Sequence, residues 1–355
     1  MFAENKSVPA RLQDLLKKKQ KRVQPFDCTV ILFILFGFHI SPLRNPAFSS
    51  AVFSQAAEPF CAVFAAVGAA CPKNIYFFQK GAVKNEKKCY NDMSPMPDFA
   101  HEKAITLYKK YLCVGGMPEA VNNFVENELD ILKFDEHIIS DIKDMYIADM
   151  QKYVKNSIET VKIEKVYKSI PSQLAKENKN FKYNFIEENG RKRKYESSID
   201  WLVASKMILI DYNTKRIEIP LKVYIDENTF KLYLSDVGIL TNMSEIRFPD
   251  IILDNSFIYK GAITENYVAE ELTSKEESLY YWTSKRNAEI DFVLYSQEDG
   301  IIPIEVKSGN NVKSVSLNMY INEYKPKYAI RFSTRNFGFE NNIKSIPLYA
   351  VFCIK

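Results

Sequence analysis

Three ionisable residues near the C-terminal end of the chain are spaced for chemistry on a phosphate. Asp291 lies in Glu289-Ile-Asp-Phe-Val-Leu294, whose first half alternates charged and apolar residues as a half-buried strand does. Ser296 to Gly300 is turn chemistry, and Ile301 to Val306 reads as a second strand, followed at once by Lys307. Period-2 geometry puts Glu305 and Lys307 on one face. Two carboxylates, one per strand, can share a hard cation such as Mg2+, which takes oxygen ligands and keeps several waters. A lysine beside them can orient or help deprotonate a bound water, or stabilise charge building on a phosphate. Asp291, Glu305 and Lys307 are therefore the candidate catalytic residues, with Asp291 and Glu305 the candidate metal ligands. The plain alternative is an ion pair on the surface of neighbouring strands, worth roughly 0 to 1 kcal/mol.

The elements around these residues are legible. Gly261 to Leu272 has helical spacing with Ile263, Tyr267, Val268 and Leu272 on one stripe, and Glu265 rides on it as a possible third acid. Leu317 to Tyr324 reads as a helix, and Tyr328–Ser333 and Ile346–Cys353 as two more strands. Upstream, His101 to Val125 reads as helix, Gly115-Gly116 break and helix, with Pro118 in a first turn. Leu129 to Ile158 continues as an amphipathic helix whose Asp141, Asp144 and Asp149 fit a solvated face better than a catalytic cluster. Ile163–Ile170, Pro171–Glu177 and Tyr195–Ser205 are short helical patterns. Ile208–Tyr212 and Ile217–Leu221 read as strands joined at Asn213–Arg216. Phe230 to Leu240 reads as strand or short helix, with Asp236 a local cap. Trp282, like Trp201, is core by default.

A helix glutamate, then Asp291, then Glu305-x-Lys307 resembles the PD-(D/E)XK nuclease-like fold. Tyr111–Val121, Ser169–Leu174, Phe230–Leu240, the Glu265 helix and the two acid-bearing strands, in that order, resemble the C-terminal two-thirds of a family of prokaryotic AAA-type ATPases. Those proteins carry a nuclease-like domain of unknown function behind the ATPase module. The resemblance runs from about residue 100 to 355. It implies a fold class of α/β, α+β overall: a helical lid-like remnant at 96–160, a winged-helix-like module at 161–255 and a PD-(D/E)XK nuclease-like mixed sheet with flanking helices at 256–355. In the resembled family an ATPase core precedes these. Its Gly-rich loop ends Gly-Lys-Ser/Thr, and none of the eleven glycines here is followed that way. ATP is not an expected cofactor of this chain.

Composition bounds the rest. At 355 residues, 46% hydrophobic and 13% aromatic, the chain can fill two or three domain cores. A net charge of +4 permits nucleic-acid contact without arguing for it. The six cysteines lack Cys-x-x-Cys spacing, so zinc and disulfide frameworks are not expected, and a reducing, cytoplasmic setting is. Residues 1–95 are atypical: a basic run at 11–22 precedes apolar runs at 30–38 and 60–71, both short of the about 20 residues a membrane span needs. They are expected to be a foreign or degenerate lead, and membrane attachment is the weakest of the readings. Basic residues for DNA or RNA are Arg191, Lys192, Arg193 and Lys194, and Lys285 and Arg286 before the Asp291 strand. The function expected is metal-dependent phosphodiester cleavage. The alternative is a non-catalytic remnant that binds nucleic acid, a protein partner or a second copy of itself.

Overall fold

The computed structural model describes residues 86–354 apart from 155, 254–258, 275–276, 285–287 and 311–313. Most of the 1–95 lead, with both apolar runs, and the pair Lys285 and Arg286 lie outside the described residues. Among those described, no helix is long and apolar enough to cross a membrane.

The fold is mixed α/β, of the α+β kind. After a short helical segment at 86–92 come four helices: α1 (Asp98–Val114), α2 (Pro118–Glu126), α3 (His137–Tyr153) and α4 (Ser157–Leu174). Pro118 opens α2 at the position where a missing amide costs nothing. The two patterns around Pro171 are one helix, because the proline sits in the last turn of α4. Asp141 and Asp144 are exposed, as a solvated face requires. Helix α5 (Lys192–Ala204) leads into β1 (Ile208–Thr214) and β2 (Ile225–Leu234).

The β1 partner differs from expectation. Ile217–Leu221 forms no strand; Pro220 has no amide to give to a ladder. Residues 215–224 instead close as a loop through Lys215 N–H donating to Tyr224 O at 2.9 Å. Strand β1 pairs antiparallel with β2, and on its other edge runs parallel to β3 (Leu279–Thr283). The hairpin is thus built into a sheet of order β2-β1-β3-β4, with β4 at Glu289–Ile290.

Between them come α6 (Val237–Met243), α7 (Phe248–Ile252) and α8 (Lys260–Thr273). Helix α8 was expected to bury one stripe, but every residue from Ala262 to Leu272 is buried. Polar residues survive there because each finds a partner. Asn266, for example, accepts from Leu234 N at 2.8 Å and donates to Leu234 O at 3.0 Å, extending the edge of β2 as a strand would.

A second sheet has the order β5-β6-β7-β9-β8: β5 (Phe292–Ser296), β6 (Gly300–Val306), β7 (Ala329–Ser333), β8 (Gly338–Glu340) and β9 (Ile343–Pro347). Strand β6 is antiparallel to β5 and parallel to β7, reached through α9 (Val315–Tyr324). Trp282 is buried against Tyr320 and Tyr324, whereas Trp201 is only half-buried. The expected strand Ile346–Cys353 stops at Pro347, and Leu348–Cys353 is a 3-10 turn packed on α1 and α8. A short apolar run does not by itself distinguish the two. There Tyr267 OH donates to Leu348 O at 3.2 Å, and His101 Nδ1 meets Tyr349 OH at 2.8 Å.

Candidate functional site

The single strand expected from Glu289 to Leu294 is bent at Asp291. Glu289–Ile290 pairs with β3 in the first sheet, and Phe292 onward pairs with β6 in the second. The β5–β6 ladder begins with Phe292 opposite Ile304, and Asp291 and Glu305 are the next residues along the two chains from that pair. Asp291 is fixed there by Val306 N–H, which donates to its Oδ2 at 2.7 Å. Lys307 Nζ lies 2.7 Å from Glu305 Oε1. This is no surface pair: Glu305 is 5% exposed, and its Oε2 is buried with no hydrogen-bond partner among the described residues.

Glu265 arrives from α8, but it comes with partners that the motif alone does not show. Lys231 Nζ sits 3.1 Å from Glu265 Oε1 and 2.6 Å from Glu289 Oε1. Tyr233 OH donates to Glu265 Oε1 at 2.5 Å, and Lys179 pairs with Oε2. Lys231 is fully buried, with its ammonium 4.6 Å from the Tyr281 ring centre. Asp211, directly across from Lys231 in the β1–β2 register, is also fully buried, and neither of its oxygens has a hydrogen-bond partner among the described residues.

The charges explain each other. Burial pushes the Lys231 ammonium down, but Glu265, Glu289, Asp291 and Asp211 more than offset this and hold it protonated. Burial likewise pushes Glu265 up, while Lys179 and Lys231, with hydrogen bonds from Lys179 and Tyr233, bring it well below the usual carboxylate range. Asp291 is raised to about 7, first by burial and then by the Glu265 charge, against the pull of the two lysines and Val306 N–H. Asp211 is driven far up by burial and the three neighbouring acids, with Lys231 opposing.

Asp211, Lys231, Tyr233 and Lys179 were not singled out from sequence. The signal was one charge inside each apolar strand run, Ile-Leu-Ile-Asp211-Tyr and Phe-Lys231-Leu-Tyr-Leu. An isolated buried charge needs a partner, so each charge implies the other.

Asp291 and Glu305 are oxygen donors of the type a divalent cation takes. Mg2+ is commonly bound through one or two carboxylates plus waters, and Glu305 Oε2 makes no hydrogen bond among the described residues, although the Arg331 guanidinium opposite it on β7 feels its charge. Glu265 is committed to its lysines instead. Accordingly, among the described residues no group of three or more His, Cys, Asp or Glu side chains is set to hold a metal.

The basic turn is less available than its composition suggests. Arg191 and Arg193 are exposed, but Lys194 pairs with Glu187, and Lys192 donates to Asn228 Oδ1 at 3.0 Å and lies 3.5 Å from Glu196. Asp236 is a cap, as expected: its Oδ1 accepts from Ile239 N at the start of α6, and its Oδ2 from Gly116 N.

Residues 105–250 match a family model described as a domain of unknown function (DUF8612), and residues 260–351 match another, also a domain of unknown function (DUF4143). No curated protein and no solved structure matches the chain. The charge cluster is composite: Lys179, Asp211, Lys231 and Tyr233 come from the first matched segment, and Glu265, Glu289, Asp291, Glu305 and Lys307 from the second.

Proposed function

We propose that this protein is a divalent-metal-dependent phosphodiesterase acting on nucleic acid, with Asp291 and Glu305 as the metal ligands and Lys307 as the assisting cation. The observation that carries the reading is the buried Glu305 carboxylate. It has Lys307 on one oxygen, leaves the other without a hydrogen-bond partner among the described residues, and belongs to the residue directly before Val306, whose N–H holds Asp291. When bound, Mg2+ supplies a more acidic water and neutralises charge on a phosphoryl oxygen. Lys307, partly exposed at the end of β6, is placed to stabilise negative charge on an incoming phosphate. Glu265 supports the site through Lys231 rather than as a ligand. The order α8, β3, β4–β5, β6, α9, β7 supports the nuclease-like resemblance. That resemblance also places the chain with AAA-type ATPases that work as assemblies in the cytoplasm, with a protein partner or further copies of the chain. ATP chemistry is not proposed for it.

One observation favours a second reading, a non-catalytic module that binds nucleic acid or protein. Glu265 and Glu289 are already balanced by Lys231 and Lys179, as in a purely structural network. Calorimetry with Mn2+ or Mg2+ on the full chain separates the two. Saturable binding that Asp291→Ala abolishes, followed by cleavage of DNA or RNA, supports the phosphodiesterase. Absence of binding by a folded wild-type chain leaves the second reading.

A further inference from the structure

The two lysines on Glu265 are held very differently. Lys231 belongs to a central strand and is fully buried. Lys179 belongs to the connection after α4, where residues 175–178 are all exposed and only Lys179 and Asn180 turn inward. The inward contacts both end on the acid cluster. Lys179 pairs with Glu265, and Asn180 Oδ1 accepts from Tyr281 OH at 2.5 Å, the same tyrosine whose ring lies over Lys231. Beyond them the chain is anchored. Phe181 N–H donates to Phe230 O at 2.8 Å with the two rings stacked, and Lys182 N–H donates to Gln173 Oε1 at 2.7 Å. The arch 175–180 is therefore pinned at both ends and latched in the middle by polar contacts that an ion can replace.

The geometry points to this arch as a displaceable strap that keeps the acid cluster shut, with the Lys179 ammonium in the place of a divalent cation on Glu265. The inference rests on the metal-site reading and adds its regulation. Charge makes the exchange feasible. With Lys179 in place, Glu265 and Glu289 face two lysines; without it they face one, and a second cation is needed to balance them. Releasing Lys179 frees Glu265 Oε2 as an acceptor for that cation.

The test is Mn2+ titration of the full chain as wild type, Lys179→Met and Asp291→Ala, with the rate of tryptic cleavage within 175–180 of the wild type followed with and without Mn2+. A partly exposed ion pair of this kind is worth about two- to fivefold in affinity. Lys179→Met is expected to bind Mn2+ tighter by that factor, and Mn2+ to speed wild-type cleavage after Lys176 or Lys179. Binding by Lys179→Met when the wild type shows none also supports the strap. Wild-type binding with unchanged affinity in Lys179→Met and unchanged cleavage overturns the strap and leaves the metal site intact. No binding by either folded protein overturns both. If Lys179→Met does not fold, the wild-type cleavage rate decides.

Discussion

Helix α8 carries two buried glutamates into two acid clusters, and the clusters are finished in opposite ways. At Glu270, Oε1 accepts from Tyr111 OH at 2.7 Å and Oε2 from Val237 N at 3.0 Å. Beside it, Asp236 takes Gly116 N at 2.7 Å and Ile239 N at 2.8 Å, one per oxygen. Neutral donors, one tyrosine hydroxyl and three backbone amides, meet both oxygens of Glu270 and of Asp236. The Glu265 cluster relies on two lysines and leaves Asp211 and one oxygen of Glu305 without partners. A buried carboxylate closed by backbone amides is a structural joint. One closed by movable ammonium groups, with acceptors to spare, can exchange its cation.

The largest expected effect is at the cation-held pole. Lys231→Met leaves Glu265 and Glu289 without their shared buried charge and should cost about 3–5 kcal/mol in denaturant unfolding. Adding Glu289→Gln should recover part of that loss. An additive double mutant would mean that the two side chains are not coupled, and the contrast between the poles would fail.

At the other pole the tight feature is backbone. A Cβ at Gly238 would lie 2.6 Å from Val114 O and 2.7 Å from Gly115 N, where nothing flexible can yield. Gly238→Ala should therefore cost about 2–3 kcal/mol by overpacking. It should leave Mn2+ affinity unchanged, since no acid of the proposed site is touched. A change in affinity without loss of stability would merge the two clusters into one.

The third prediction uses pH. Asp291 is raised from 3.8 to about 7 in the folded chain, so the unfolded chain loses its proton first as pH rises. Its burial is neutral for stability below about pH 4, destabilises progressively from there to about pH 7, and is constant above. In chelated buffer Asp291→Asn should be more stable than wild type by on the order of 2 kcal/mol at pH 8, with the gain gone near pH 4. Thermal melts at both pH values read this directly. A gain that persists at pH 4 would mean that Asp291 is not the acid paying the electrostatic penalty.

Much of this difference was legible in advance, and the illegible part has one cause. The two acid-bearing strands, the Glu305–Lys307 pair, the Glu265 helix and the Asp236 cap follow from local spacing and turn chemistry, whereas the bend at Asp291 does not. Lys231, Asp211 and Lys179 do not, because their roles exist only once β1 and β2 are set beside α8, with 34 residues between Lys231 and Glu265. The same non-local pairing hid the full burial of α8. A helix with Glu265, Glu270 and Glu271 reads as half solvated until the lysines, tyrosines and helix-start amide that meet Glu265 and Glu270 are in place. The missed β1 partner has a similar origin: Ile217–Leu221 is apolar enough for a strand, but the ten-residue run that β1 pairs with begins at Ile225.

The smallest expected effect lies on the surface, where neither kind of closure applies. Arg191 and Arg193 are exposed ahead of and within the first turn of α5, while the lysines between and after them are engaged with Asn228, Glu196 and Glu187. Replacing both arginines by alanine should change stability by less than about 0.5 kcal/mol. Its consequence is in binding. If the turn contacts a nucleic-acid backbone, the double variant should weaken binding to all sequences alike and lower the salt-dependence slope by about two, one per lost phosphate contact. Fluorescence anisotropy with single- and double-stranded probes over a range of salt would measure it. An unchanged slope would assign phosphate recognition to the neighbourhood of Lys307, bringing substrate binding and cation exchange together at the Glu265 pole.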